Sequence, residues 1–172
     1  VLDRLGSMLM DQILVAGVFH DDLHPGNIRV QPENSGIELL DFGRTGYATE
    51  LERKNVMPLI MAMITKSADG IIQSLQSSKD TSKSFDKIGL KNSLTAVLSE
   101  SDLSFSTKLS KIIFQCGAHG LEVSSVFLRM LKAVMTFEGT AIQLDPTFKL
   151  EAFIQKFGLK KLFSNFSFLS SK

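Results

Sequence analysis

Two short runs of branched apolar residues, Ile28 to Gln31 and Ile37 to Leu40, interrupt a chain that otherwise repeats its apolar positions at helical spacing. Pro32-Glu33-Asn34-Ser35-Gly36 lies between them and is rich in turn-forming residues, so the pair predicts two strands joined by a turn. Before the hairpin, Leu2, Leu5, Leu9, Ile13 and Ala16 lie on one face of a helix over residues 2–18, with Gly17 as its stop. From Thr49 onward the pattern is helical throughout. Thr49 and Glu52 have capping-box spacing ahead of a helix ending near Lys66. Ser67 can cap a second helix reaching Ser77, and Ser77 to Ser84 is the candidate linker. Further helices are predicted over 85–98, 107–116, 125–144 and 148–157, with Gly120, Gly158 and Asp145-Pro146 as breaks. The fold class is α+β and mainly α-helical.

Composition removes several classes. The 172 residues carry 19 basic and 18 acidic side chains, and a net charge of +1 gives no field for gathering nucleic acid. Cys116 is the single cysteine, which excludes an internal disulfide and suits a reducing compartment. One Cys with His20, His24 and His119 is too poor a set for structural zinc. The longest apolar run, 56–65, is too short to span a bilayer, and no secretory leader is visible. The expected location is the cytoplasm or an organellar matrix side. The first residue is Val, which reads as a processed chain or a piece of a longer one.

The chemistry is concentrated in His20-Asp21-Asp22-Leu23-His24-Pro25-Gly26-Asn27 and, after the hairpin, Asp41-Phe42-Gly43. A turn centred on Asn34 pairs Val30 with Glu38, Ile28 with Leu40 and Asn27 with Asp41. Directly opposed residues lie roughly 4.5–5.5 Å apart and project to the same face. On that register a 14-residue gap closes into one oxygen-rich spot made of an amide and a carboxylate. Such hard oxygen ligands suit Mg²⁺, which completes its shell with water and phosphate oxygens. Asp22 precedes Asn27 by five residues and reaches the same space from the loop. A loop Asp, an Asn five residues on and the Asp of D-F-G are the parts of a kinase catalytic loop. They predict bound ATP and Mg²⁺, with Asp22 as the carboxylate that orients or deprotonates the acceptor hydroxyl.

The segment from His20 to Asn27 resembles the H-A-D-x-H-P-G-N segment of UbiB-like atypical kinases, also called aarF-domain proteins. Gly17-Val-Phe-His20, Phe137-Glu-Gly139 and Leu144-Asp-Pro146 are similar to further segments of that family. The resemblance implies a kinase-like C-terminal lobe without its N-terminal lobe. It would comprise a lead helix (1–18), a catalytic loop with hairpin and D-F-G segment (19–47), a helical body (48–158) and a tail (159–172). It also implies Asp22 as the catalytic-loop carboxylate, Asn27 and Asp41 as metal ligands, and ATP-dependent support of ubiquinone or other isoprenoid-lipid metabolism at membranes. Two features depart from the pattern. Asp21 stands where ordinary kinases carry Arg and this family commonly carries Ala, so control by activation-loop phosphorylation is not expected. A second carboxylate also repels Asp22 if both are buried, an effect that solvent exposure of Asp21 would blunt. The other departure is that no G-x-G pair and no strand-borne lysine precede the loop. The nucleotide-covering parts are therefore expected upstream of residue 1 or on a partner chain.

The remaining residues divide between chemistry and architecture. His20 is expected to bond backbone near the loop. His24, two residues after Asp22, either touches phosphate or acceptor or braces the loop. Gly43 and Gly26 supply backbone freedom or close approach, so Gly43 is grouped with the nucleotide-binding residues. Phe42 is expected as an apolar plug orienting Asp41, Arg44 as a solvated side chain, His119 as surface and Cys116 as a small buried hydrophobe. The methionines at 57, 61 and 63 read as core filler. The 153–172 tail, with five phenylalanines and Lys156, Lys160 and Lys161, either lies on a membrane surface or docks onto the domain. Two other functions fit the same residues: an inactive pseudokinase acting as an interaction module, and an aminoglycoside- or choline-type phosphotransferase.

Overall fold

The computed structural model describes residues 1–31, 33, 36–77 and 84–158. Most of the expected turn (Pro32, Asn34, Ser35), positions 78–83 of the linker and the 159–172 tail lie outside the described residues. Helix α1 (Leu2–Asp11) buries Leu5 and Leu9 and continues into a π-helical turn, Gln12–Ala16, that buries Ile13. The predicted 2–18 helix is thus one rod with a widened last turn. Gly17 ends it with φ +72°, a left-handed conformation open to glycine without a Cβ penalty.

Two antiparallel ladders follow. Strand β1 (Val18–His20) pairs with β4 (Thr45–Tyr47), and β2 (Ile28–Gln31) pairs with β3 (Gly36–Leu39). The outer ladder was not expected, because three residues such as Thr45-Gly46-Tyr47 are too few to show a period. It is held by packing. Gly46 lies opposite Phe19, and a Cβ at Gly46 would fall 2.2 Å from the ring of Phe19, which is buried.

The inner ladder corrects the expected register by one residue. Gln31 faces Gly36 and Ile28 faces Leu39, so four residues rather than an odd number close the turn. The backbone partner of Asn27 becomes Leu40, whose N–H donates to the Asn27 carbonyl at 2.9 Å. Since side chains alternate between faces, a one-residue slip moves the partner to the other face. Asp41 therefore falls beyond the ladder.

The helical body follows its caps. Helix α2 (Glu50–Ile64) begins at the expected capping box: Glu52 N–H donates to Thr49 Oγ1 at 3.3 Å and Thr49 N–H to Glu52 Oε2 at 2.9 Å. Ser67 Oγ accepts from Gly70 N–H at 3.1 Å to start α3 (Ala68–Ser77). Asp86 caps α4 (Lys87–Ser99), Ser104 caps α5 (Phe105–Ala118) and Ser124 caps α6 (Ser125–Leu144). Helix α5 starts two residues before its expected position, because the serine hydroxyl that caps it lies at 104. Residues 150–158 form a last helical stretch.

The core runs through all these helices and includes Phe127, Phe137, Leu59, Ile112 and Cys116. Phe153 and Phe157 belong to it: both are buried, and Phe153 lies 5.6 Å from the Phe137 ring centroid. The first two tail phenylalanines thus dock onto the domain. Of the methionines, Met63 is buried, Met57 partly so, and Met61 exposed. His119 is not free surface. Its Nδ1 meets Asp86 Oδ2 at 3.1 Å and its Nε2 meets Ser93 Oγ at 3.0 Å, which clamps the end of α5 to α4. No helix among the described residues is long and apolar enough to cross a membrane.

Candidate active site

The loop between β1 and β2 is built around His20, which is buried. Its backbone N–H donates to Gln12 Oε1 at 3.0 Å. Its Nδ1 accepts the Asp22 N–H at 3.1 Å and its Nε2 lies 2.9 Å from the Leu40 carbonyl. An acceptor at Nδ1 and a carbonyl facing Nε2 together require the neutral tautomer protonated at Nε2. One ring thus joins the start of the loop to the segment that carries Asp41, the structural role expected of it.

Asp21 and Asp22 point to different environments. Asp21 is 2% exposed, so solvent does not separate the two carboxylates as the sequence had allowed. Cations do. Arg129 Nε on α6 donates to Asp21 Oδ2 at 2.7 Å, and Arg44 Nε lies 3.5 Å from Asp21 Oδ1. Asp22, with a quarter of its side chain exposed, opens outward between Arg44 Nη1 at 3.4 Å and Lys132 Nζ at 3.9 Å. Arg44 is half exposed but bridges both carboxylates rather than standing solvated.

His24 caps the 3₁₀ turn Pro25–Asn27: its Nδ1 accepts the Gly26 N–H at 3.1 Å. The ring fills the space beside Gly26, where a Cβ would fall 2.9 Å from His24 Cε1. Asn27 is buried, and its Nδ2 donates to the Asp22 carbonyl at 3.1 Å. That bond fixes the amide and leaves Oδ1 as the atom with coordinating capacity. Asp41 is exposed and adopts φ +53°, a left-handed conformation uncommon outside glycine that turns the chain out of the ladder. Its Oδ1 accepts the Gly43 N–H at 3.2 Å. Phe42 is 62% exposed and meets the His20 ring edge-on at 5.5 Å, so in this chain it is not a buried plug.

Among the described residues no group of three or more His, Cys, Asp or Glu side chains could enclose a metal. The Asn27 amide oxygen and the Asp41 carboxylate are hard donors, each on one side of the Asn27–Leu40 backbone bond. Donors of that type suit Mg²⁺, which relies on water and substrate phosphates for the rest of its shell, and not a metal that needs a closed protein cage.

Three side chains on α6 complete the site and were not expected from the sequence. Arg129 holds Asp21 and donates through Nη2 to the Thr45 carbonyl at 3.1 Å. Lys132 approaches Asp22, and Thr140 Oγ1 donates to the Leu23 carbonyl at 2.8 Å. The one trace in the sequence is that Arg129 and Lys132, three apart, are the two basic residues of the 125–144 helix. Nearby Glu138, within the Phe137-Glu-Gly139 segment, is buried and accepts from Ser106 N–H at 2.8 Å at the start of α5, an architectural role.

A family model described as the ABC1 atypical kinase-like domain matches residues 1–75, which contain every loop and D-F-G residue named above. An uncharacterized protein of Synechocystis sp. is 29% identical over 155 residues, 87% of this chain and 26% of that protein. Two chloroplastic proteins of Arabidopsis thaliana, ACTIVITY OF BC1 COMPLEX KINASE 7 and ACTIVITY OF BC1 COMPLEX KINASE 3, are 29% and 23% identical over 80% and 90% of the chain. The chain covers 21% and 22% of their lengths, so it spans about a quarter or less of these relatives. The resemblance read from the loop residues is thereby supported independently, and the mainly helical α+β fold agrees with it.

Proposed function

Starting from a chain whose first 75 residues match the ABC1 atypical kinase-like domain, we propose that it forms the catalytic face of an ATP-dependent phosphotransferase or ATPase. One observation carries this reading. Asn27 is bonded through Nδ2 to the backbone of Asp22 and through its carbonyl to Leu40, the neighbour of Asp41. Three oxygen-bearing side chains spread over 20 residues thus start from one hydrogen-bonded backbone unit.

Asp22, the more open carboxylate of the pair, accepts the proton of the acceptor hydroxyl or of water, with Arg44 paired to it at 3.4 Å. Asn27 Oδ1 and the Asp41 carboxylate are the ligands for Mg²⁺. Gly43 keeps Asp41 turned by donating its N–H, and His24 keeps the 3₁₀ turn closed ahead of Asn27. When bound, the metal would supply positive charge to the nucleotide phosphates, which the loose transition state of phosphoryl transfer requires. The acceptor in this reading is a quinone-pathway or other isoprenoid lipid met at an organellar membrane. Its support is the resemblance of the loop and the chloroplastic designation of two relatives. The ABC1 match favours it over the aminoglycoside-type alternative.

The test is Asp41→Asn in the intact protein. Mg²⁺-dependent nucleotide binding is expected to be lost while the melting temperature stays near that of the parent, because Asp41 is exposed. Binding that persists unchanged would remove Asp41 as a ligand and the reading with it.

A further inference from the structure

Phosphoryl transfer spreads negative charge over three equatorial oxygens, and a side-chain cation placed there stabilises the transition state beyond what a metal provides. Many kinases carry a lysine for this task two residues after the loop aspartate. Here that position is His24, whose Nδ1 is engaged by Gly26 and whose ring packs against the 3₁₀ turn. The loop itself therefore lacks a lysine beside Asp22, and the nearer cation, Arg44, is shared between Asp21 at 3.5 Å and Asp22 at 3.4 Å.

Helix α6 provides one. Arg129 and Lys132, three residues apart, lie on the same face of that helix, and each meets one of the two loop carboxylates. Arg129 takes the buried Asp21 at 2.7 Å, and Lys132 takes the open Asp22 at 3.9 Å. The helix is anchored to the loop by Arg129 at Asp21 and Thr45 and by Thr140 at Leu23, so the backbone position of Lys132 is fixed. Its ammonium group is not. A pair at 3.9 Å with 45% of the lysine side chain exposed is loose, and the four-carbon stem can swing toward a third oxygen.

We propose that Lys132, delivered from α6, contacts the phosphoryl group being transferred and takes the place of the lysine that the loop lacks. Arg129 is a positioning residue for it: it sets the register of α6 against the catalytic loop without touching substrate. This rests on the phosphotransfer reading above, and the experiment separates the two.

The experiment is equilibrium binding of Mg²⁺-ATP and Mg²⁺-ADP to the intact full-length protein, in parent, Lys132→Met and Lys132→Arg forms. A lysine that meets only the terminal phosphate should be felt by ATP alone. Lys132→Met is expected to weaken ATP binding about tenfold, as for loss of one charge-assisted contact, with ADP binding kept within about twofold. Lys132→Arg should restore most of the difference. Equal weakening of both nucleotides would mean a structural role for Lys132 and would overturn the proposal, as would an unchanged ratio. If the parent protein binds neither nucleotide in a Mg²⁺-dependent way, the phosphotransfer reading fails and this proposal falls with it. Binding by the parent with no ATP-specific loss in Lys132→Met removes the proposal alone.

Discussion

The loop-and-strand segment over 18–47 and the helical body over 50–158 are held together by different physics. The body is an apolar core: Phe127, Leu59, Leu109 and Ile112 are fully buried, and each helix from α4 to α6 is started by a side-chain cap. The segment that carries the candidate site has strands of three or four residues, too short to be stable alone. It sends Phe19 and Leu23 into that core, and its polar residues are fixed by directed bonds: Gln12 and Leu40 on His20, Arg129 on Asp21 and Thr45, Thr140 on Leu23. Burial is non-directional and gives cooperativity, whereas hydrogen bonds are directional and fix positions. A site that must aim carboxylates and an amide needs the second kind.

Substitutions in the two regions should therefore differ in reach as well as size. Phe127→Ala leaves a large void in the core and should cost about 3–5 kcal/mol, lowering the melting temperature of the whole domain. Arg129→Met deprives a buried carboxylate of its nearest cation. With Arg44 still 3.5 Å from Asp21, the cost belongs at the low end for a broken buried pair, about 3 kcal/mol. It should appear first as faster hydrogen exchange across 20–27 and 45–47, with the helices still protected. Equal deprotection of the helices in Arg129→Met would erase the distinction between the two regions.

A smaller effect probes the junction at the start of α2. Burial by itself would raise the pKa of Glu52, but hydrogen bonds from Ser124 and Thr49 outweigh it and hold the carboxyl below its ordinary value of 4.5. A carboxyl depressed in the folded state contributes stability above that value and loses it as pH falls through its folded pKa. Acid titration of stability should therefore show a loss beginning below about 4.5, reduced in Glu52→Gln. Thr49→Ala, which removes the cap, should cost about 1 kcal/mol at neutral pH. A loss of the same size at every pH in both variants would mean that the carboxylate charge contributes nothing there.

The smallest change is a chemical probe of the body. Burial pushes the Cys116 thiol up to about 12, so at pH 8 it should resist iodoacetamide in the native protein and react fully in denaturant. Native labelling at a rate near that of the unfolded chain would show that the core opens there more readily than its packing implies.

Legibility from the sequence divides along the same line. The helices of the body were readable because apolar period and caps are local: Thr49 with Glu52 and Ser67 with Gly70 act within one turn, and α6 begins and ends where its pattern does. The candidate site residues were readable as a set because residue types at fixed spacing need no third dimension. Their mutual placement was not. The hairpin register was off by one, since an even or odd turn is decided by how the strands seat and not by composition. The outer ladder was missed because it depends on Phe19 covering Gly46 across 27 residues. The environment of Asp21 is set not by its neighbour in sequence but by an arginine 108 residues away.

The sequence by itself determined that this chain is mainly a helical body with a short hairpin, and that Asp22, Asn27 and Asp41 stand at the spacing of a candidate catalytic loop. Period, capping and motif spacing are properties of neighbours along the chain. Only the tertiary structure decided which carboxylate is buried and which is open, which face Asp41 leaves by, and that α6 supplies the two cations behind the loop. Charges and hydrogen bonds act through space, over a few ångströms, between residues whose distance along the chain carries no energy of its own.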